Sequence, residues 1–211
     1  MPTLEQARTW YMDADNVHDF DHILRVYHMA ERLARSEGAD LDIVRTAALL
    51  HDAHGTAPGS KERADHHHAS AEFAAQILHD EGWSPERIKQ VQHCIRAHRF
   101  RDTSEPPATI EAKILFDADK LDVLGAIGVA RVMAYAALAG EPMYVLPSEQ
   151  FLQSGEELPG EPHSAYHEYL FKLNKIKERL HTHTAREIAE ERAAYLNEFF
   201  VRLGKEYLGV L

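Results

Sequence analysis

Apolar residues recur at helical spacing along almost the whole chain. Ile23, Val26, Tyr27, Ala30, Leu33 and Ala34 predict one buried face of a helix ending near Gly38. Leu41, Val44, Ala47, Ala48, Leu49 and Leu50 predict a second helix, apolar on nearly every side and so more fully buried. It runs into His51-Asp52, and the breakers Gly55, Pro58 and Gly59 follow. Ala69, Phe73, Ala74, Ile77 and Leu78 predict a third helix that stops before Gly82. Ser84-Pro85-Glu86 reads as an N-cap with proline at the first helical position, opening a fourth helix with Ile88, Val91 and Ile95 that reaches towards His98. Beyond Pro106 and Pro107, Ile110, Ile114, Leu115 and Ala118 predict a fifth, and Leu121 to Ala139 continue as a small-residue helix.

Residues 140–163 break this pattern. They are rich in proline and glycine and read as a long surface loop, of the kind that often serves as a lid. Two charged amphipathic helices, about 164–181 and 184–207, close the chain. No segment sustains period-two alternation, so no sheet is expected. The pattern predicts an all-α, compact helical bundle forming a single domain over residues 1–211.

Composition narrows the function classes. With 45% apolar and 27% charged residues in 211, the chain has the balance of a folded globular protein able to bury a core. Its net charge of -11 repels a polyphosphate backbone, which argues against a DNA or RNA polymer as partner; a small phosphate ester stays compatible, because local charge in a pocket governs its binding. The single cysteine, Cys94, excludes an internal disulfide framework, and its neighbours Val91 and Ile95 place it on a buried face. The first residues lack an apolar signal core, and no stretch approaches the roughly 18 apolar residues of a membrane span. A cytoplasmic location without membrane contact is expected. Nothing in the sequence sets an oligomeric state.

Fifteen histidines are many for this length, but their positions carry the argument. His51-Asp52 ends a buried helix, where an unpaired polar group costs of order 2–7 kcal/mol. A divalent cation would satisfy both side chains, since imidazole nitrogen and carboxylate oxygen are good ligands for borderline metals. Alone, the pair suits a helix C-cap equally well. His22 stands at the edge of the first helix's buried face, and Asp119 beside the stripe of Ile114, Leu115 and Ala118. Each is awkward in isolation; the four become mutually explicable if they converge on one ion.

With these residues in view, the sequence resembles the HD superfamily of phosphohydrolases, whose pattern is a histidine, an adjacent His-Asp pair and a distal aspartate. Here they are His22 in HDFDHILRV, His51-Asp52 in ALLHDAHG and Asp119 in LFDADKLD. The segments at 18–26 and 117–131 resemble those of small stand-alone bacterial members, strongly over about residues 15–135. The resemblance selects His22 over His18 and Asp119 over Asp117, leaving Asp117 and Asp122 as supporting or capping groups. It implies a metal held by His22, His51, Asp52 and Asp119. It also implies two further histidines, His66 before Ser70 and His98 in IRAHRF, that contact a second metal or a substrate phosphate. His67 and His68 are close alternatives to His66, and His93 to His98.

The implied chemistry is hydrolysis of a phosphate ester or phosphoanhydride, with a nucleotide as the substrate class, by a metal-activated water. Asp52 would orient that water or take its proton. Charge on the phosphoryl oxygens needs positive partners. The candidates are His66, His98, Lys61, Arg63, Lys120 and Arg99; Arg25 and Arg131 match family positions and could serve structure instead. A mixed nitrogen and oxygen site admits manganese, iron, cobalt, nickel or zinc, and magnesium less readily. One metal site is expected, with a second possible. The rivals are a di-iron oxygenase and a non-catalytic nucleotide sensor. A guanosine-tetraphosphate hydrolase or cyclic-dinucleotide phosphodiesterase lacks support, because neither a synthetase domain nor a Gly-Tyr-Pro motif is present.

Overall fold

A computed structural model describes residues 1–12, 20–54, 65–99 and 104–211. Among them the chain is all-helical, with no strand. A helix absent from the sequence expectation, α1 (Leu4–Arg8), runs into a 3-10 turn (Thr9–Tyr11). Thr3 and Gln6 form a reciprocal capping box at its start. Then come α2 (Phe20–Glu37), α3 (Leu41–Leu50), α4 (His66–Asp80), α5 (Pro85–Ala97) and α6 (Ile110–Leu121). The caps follow from sequence. Asp40 accepts the amides of Asp42 and Ile43 to open α3, and Ser84 accepts that of Arg87 ahead of Pro85 in α5.

These helices belong to one compact unit, Met1–Asp119 with His181–Ala185. α2 packs on α3, and α5 on both α3 and α4. Ile23, Val26, Leu33, Ile43, Leu50, Leu78, Ile95 and Ile114 are buried in the core, each contributing about 1.5–3 kcal/mol by leaving water. Every residue of α3 from Thr46 to Leu50 is buried, as its all-round apolar pattern predicts. Cys94 is buried too, and that burial pushes its thiol pKa up. The buried Asp117 carboxylate draws the 181–185 segment onto α6. It accepts the His181 amide at 2.9 Å and the Thr182 amide and hydroxyl, each at 2.7 Å.

The second unit comprises Lys120–Leu180 and Arg186–Leu211. It contains α7 (Gly125–Ala139), α8 (Glu149–Ser154), α9 (Ala165–Phe171), a 3-10 stretch (Leu173–Arg179) and most of α10 (His183–Tyr207). The expected continuous helix Leu121–Ala139 is instead broken at 122–124. Gly125 takes φ +70, and a Cβ at Gly128 would lie 2.2 Å from the Val123 carbonyl, so the corner needs both glycines. Arg192 donates to the Leu121 carbonyl at 2.7 Å, and Arg131 pairs with Asp122 at 2.6 Å, satisfying the groups that the break frees.

The expected loop at 140–163 carries the short helix α8 and is organised by one side chain. Glu161 accepts the amides of Ser148 and Leu158, both at 2.8 Å, and the Ser148 hydroxyl at 2.7 Å; it also meets the buried His167 ring at 3.1 Å. The backbone amide bonds, then the Ser148 hydroxyl, hold its carboxyl at about 2. A depressed folded-state pKa adds stability that is present above the unfolded value of 4.5 and lost as pH falls towards 2. Glu161→Gln should therefore lower Tm by a few degrees at pH 7. The gap to the wild type should narrow as the pH of the melts is stepped from 5 to about 3. A gap that does not depend on pH would refute this account of the loop.

Candidate metal centre

Five helix termini of the first unit carry the cluster. His22 is the third residue of α2, on the buried face shared by Ile23 and Val26. His51 and Asp52 directly follow α3, and His66 opens α4. His98 directly follows α5, and Asp119 lies in the last turn of α6. Three of these termini are helix C-terminal ends, whose unsatisfied carbonyls make cation binding favourable.

Asp52 is the centre of the arrangement, and its two oxygens face different partners. Oδ2 lies 3.6 Å from His51 Nε2 and 3.9 Å from His22 Nε2. Oδ1 lies 3.3 Å from His66 Nε2 and 3.5 Å from His98 Nε2. Asp119 Oδ1 joins the first side, 3.5 Å from His22 Nε2. Two overlapping groups could each hold a metal ion, His22 with His51 and Asp119, and His51 with Asp52 and His98, their ligand atoms within 4.8 Å of one another.

The histidine tautomers follow from the backbone. His51 Nδ1 lies 2.9 Å from the Ala48 carbonyl, and His98 Nδ1 lies 2.5 Å from that of Ile95. A carbonyl can only accept, so both Nδ1 atoms carry hydrogen and Nε2 is the ring atom that each turns towards Asp52, with a lone pair to offer a cation once the ring is neutral. Burial pushes the His98 imidazole pKa down, favouring that neutral form, although the Asp52 carboxylate opposes the shift. Burial would also raise Asp52. The charge of His51 and the contacts with His66 and His98 outweigh it and hold the carboxyl well below the usual range. Among the described residues, the buried His51 Nε2 and Asp52 Oδ1 make no hydrogen bond. Buried polar atoms left unpaired are costly unless a cation lies between them, so the donor set fits a divalent metal.

The alternatives left by the sequence separate here. His66 enters the cluster. The neighbouring His67 is buried, and burial followed by its histidine neighbours lowers it to about 4; His68 is exposed. His93 commits both ring nitrogens elsewhere, to Glu105 at 2.6 Å and to the Ala108 amide at 3.1 Å. Asp117 and Asp122 are occupied by Thr182 and Arg131 as described above. Arg99 and Lys120 are half-buried next to His98 and Asp119 in sequence, and Arg25 is half-buried on α2. His18, Lys61 and Arg63 lie outside the described residues. Two residues touch the His51-Asp52 turn without having been singled out for it. They are Tyr11, for which sequence gives no signal, and Ser70, which served only to mark the place of His66.

An all-helical unit with a His, His-Asp, Asp cluster at converging helix ends defines a class, and the comparisons agree with it. The HD domain family model matches residues 19–124, and the chain belongs to the HD-domain superfamily. The Bacillus subtilis protein YpgQ is 34% identical over 98% of this chain and 94% of its own length. The crystal structure of YpgQ in complex with ADP superposes with a TM-score of 0.73 at 32% identity, covering 97% of each chain. An HD-superfamily hydrolase from Bacillus thuringiensis gives a TM-score of 0.69 at 31% identity, covering 97% of this chain and 96% of the other. Among the described residues, no single helix is long and apolar enough to cross a membrane.

Proposed function

We propose that this chain is a metal-dependent phosphohydrolase acting on a phosphate ester or phosphoanhydride, with a nucleotide as substrate. The observation that carries the reading is the Asp52 carboxylate, which presents one oxygen to His22 and His51 and the other to His66 and His98. His22, His51, Asp52 and Asp119 hold a divalent cation of the manganese, iron, cobalt, nickel or zinc type. When bound, that cation supplies Lewis acidity, lowering the pKa of a water towards about 7.

The protein's own groups do the rest. Asp52 stays ionised, so its carboxylate can accept a hydrogen bond from the attacking water and orient it towards phosphorus. His66 and His98 receive the phosphoryl group. His98 can engage it only through Nε2, because Nδ1 is held by Ile95. As imidazolium, either ring would offset charge on the phosphoryl oxygens. His66 opens a 15-residue helix whose N-terminal amides favour an anion on the same side. The half-buried Arg99 and Lys120 are further candidates for the phosphates. The ADP complex of YpgQ supports the nucleotide class.

The test is a screen of nucleoside mono-, di- and triphosphates and simple phosphate esters against protein reloaded with each of those metals. Metal-dependent release of phosphate or pyrophosphate from a nucleotide is expected. Tight nucleotide binding by the metal-loaded protein without turnover would instead establish a sensor.

A further inference from the structure

The His51-Asp52 turn is tied down on both sides by buried hydroxyls outside the ligand set. α3 ends irregularly: the Ala53 amide turns to the Leu50 carbonyl at 3.3 Å, which takes the regular helical donor away from the Leu49 carbonyl. Tyr11 replaces it, its hydroxyl donating to that carbonyl at 2.8 Å. Burial keeps the phenol pKa well above its usual value, so the group stays a donor. On the other side of the pair, Ser70 Oγ accepts the His54 amide at 3.1 Å and donates to the His54 carbonyl at 3.2 Å.

Ser70 is fully buried and lies one turn along α4 from His66, on the same face. A helical serine commonly turns its hydroxyl back onto its own helix. Here the hydroxyl is spent on the turn that carries Asp52. One side chain thus fixes α4, and with it His66, against the residue that His66 faces at 3.3 Å.

We propose that Ser70 and Tyr11 are positioning residues of the metal centre. Together they clamp the backbone at residues 49 and 54 and so fix the direction of the Asp52 carboxylate between its two sets of histidines. The proposal rests on the reading of His22, His51, Asp52 and Asp119 as metal ligands. Neither hydroxyl touches the metal or the substrate in this account. They act through the backbone, where the loss of one bond leaves a buried amide or carbonyl unpaired and lets the turn shift to satisfy it.

Cobalt(II) is the probe, read by its binding affinity and by its visible absorption bands, which report ligand geometry. Wild type, Asp52→Ala, Tyr11→Phe, Ser70→Ala and Ala74→Gly are compared, each with a thermal melt. Ala74→Gly loosens α4 one turn further on, at a buried position outside the clamp, and controls for stability alone. Tyr11→Phe and Ser70→Ala should each weaken cobalt binding about 10–100-fold and shift the bands. Ala74→Gly, at a similar loss of Tm, should change neither. Tyr11→Phe keeps the ring in its packing against Phe20 and carries the test alone if Ser70→Ala does not fold. Wild-type affinity and bands in both hydroxyl variants would overturn the proposal, as would an equal change in Ala74→Gly. Cobalt binding by Asp52→Ala equal to that of the wild type would instead overturn the ligand assignment beneath it.

Discussion

Asp52→Ala and His51→Ala should each strip the protein of bound metal and reduce turnover by about a hundredfold to a thousandfold or more. Among the described residues Asp52 is the only carboxylate that faces both sides of the cluster, with Oδ2 towards His22 and His51 and Oδ1 towards His66 and His98. Its removal takes the negative charge from among four imidazoles. His51 contributes the lone pair that its Nδ1 bond to Ala48 directs inward. Among the described residues neither Asp52 Oδ1 nor His51 Nε2 makes a hydrogen bond, so the helical content should survive. Metal analysis alongside circular dichroism separates loss of the site from loss of structure. Metal content like that of the wild type in both folded variants would sink the assignment.

His66→Ala and His98→Ala should keep one tightly bound metal and lose about a hundredfold or more in kcat. Both histidines lie on the far side of Asp52 from His22 and Asp119. In the proposed assignment four protein ligands would serve the first ion, and two more would fill a six-coordinate shell and leave no place for the nucleophile. Loss of one group that stabilises charge on the phosphoryl oxygens typically costs about 2.7–4 kcal/mol in the transition state. His66 is the cleaner of the two, with 15% of its side chain exposed against 4% for the fully packed His98. The informative comparison is metal stoichiometry against kcat in the same preparations. Full activity would remove that residue from the site. Loss of all metal would move it into the first ion's shell, and loss of a second equivalent alone would show that it holds another cation.

Sequence by itself determined the helical class, the buried α3 that ends in His51-Asp52, and the candidate residues His22, His66, His98 and Asp119. The helical class and the buried α3 are carried by apolar periodicity, with His51-Asp52 placed where it demands burial; His66 and His98 came from the resemblance to the HD superfamily, which also selected His22 and Asp119 among their neighbours. The cap at Ser84 was equally legible, because a cap is a contact within three residues. The contacts missed act at long range or in backbone terms. Tyr11 reaches a carbonyl 38 positions away, and Asp117 reaches amides 64 and 65 positions away. No local pattern encodes such pairs.

The run of small and apolar residues from Leu121 to Ala139 predicts continuous helix across the corner between α6 and α7. A positive φ at Gly125 and the bonds of Arg131 and Arg192 override that pattern. The loop at 140–163 was read from its breakers alone, and its order comes from the bonds that Glu161 gathers. Which of three adjacent histidines faces Asp52 was decided only by the rotation of α4 about its axis. At about 100° per residue, His66, His67 and His68 point in three directions, and the Ser70 clamp fixes which one meets the carboxylate. Sequence set which groups had to be buried together; the tertiary structure alone set which atoms of those groups face one another, because that depends on helix rotation and on contacts between segments far apart in the chain.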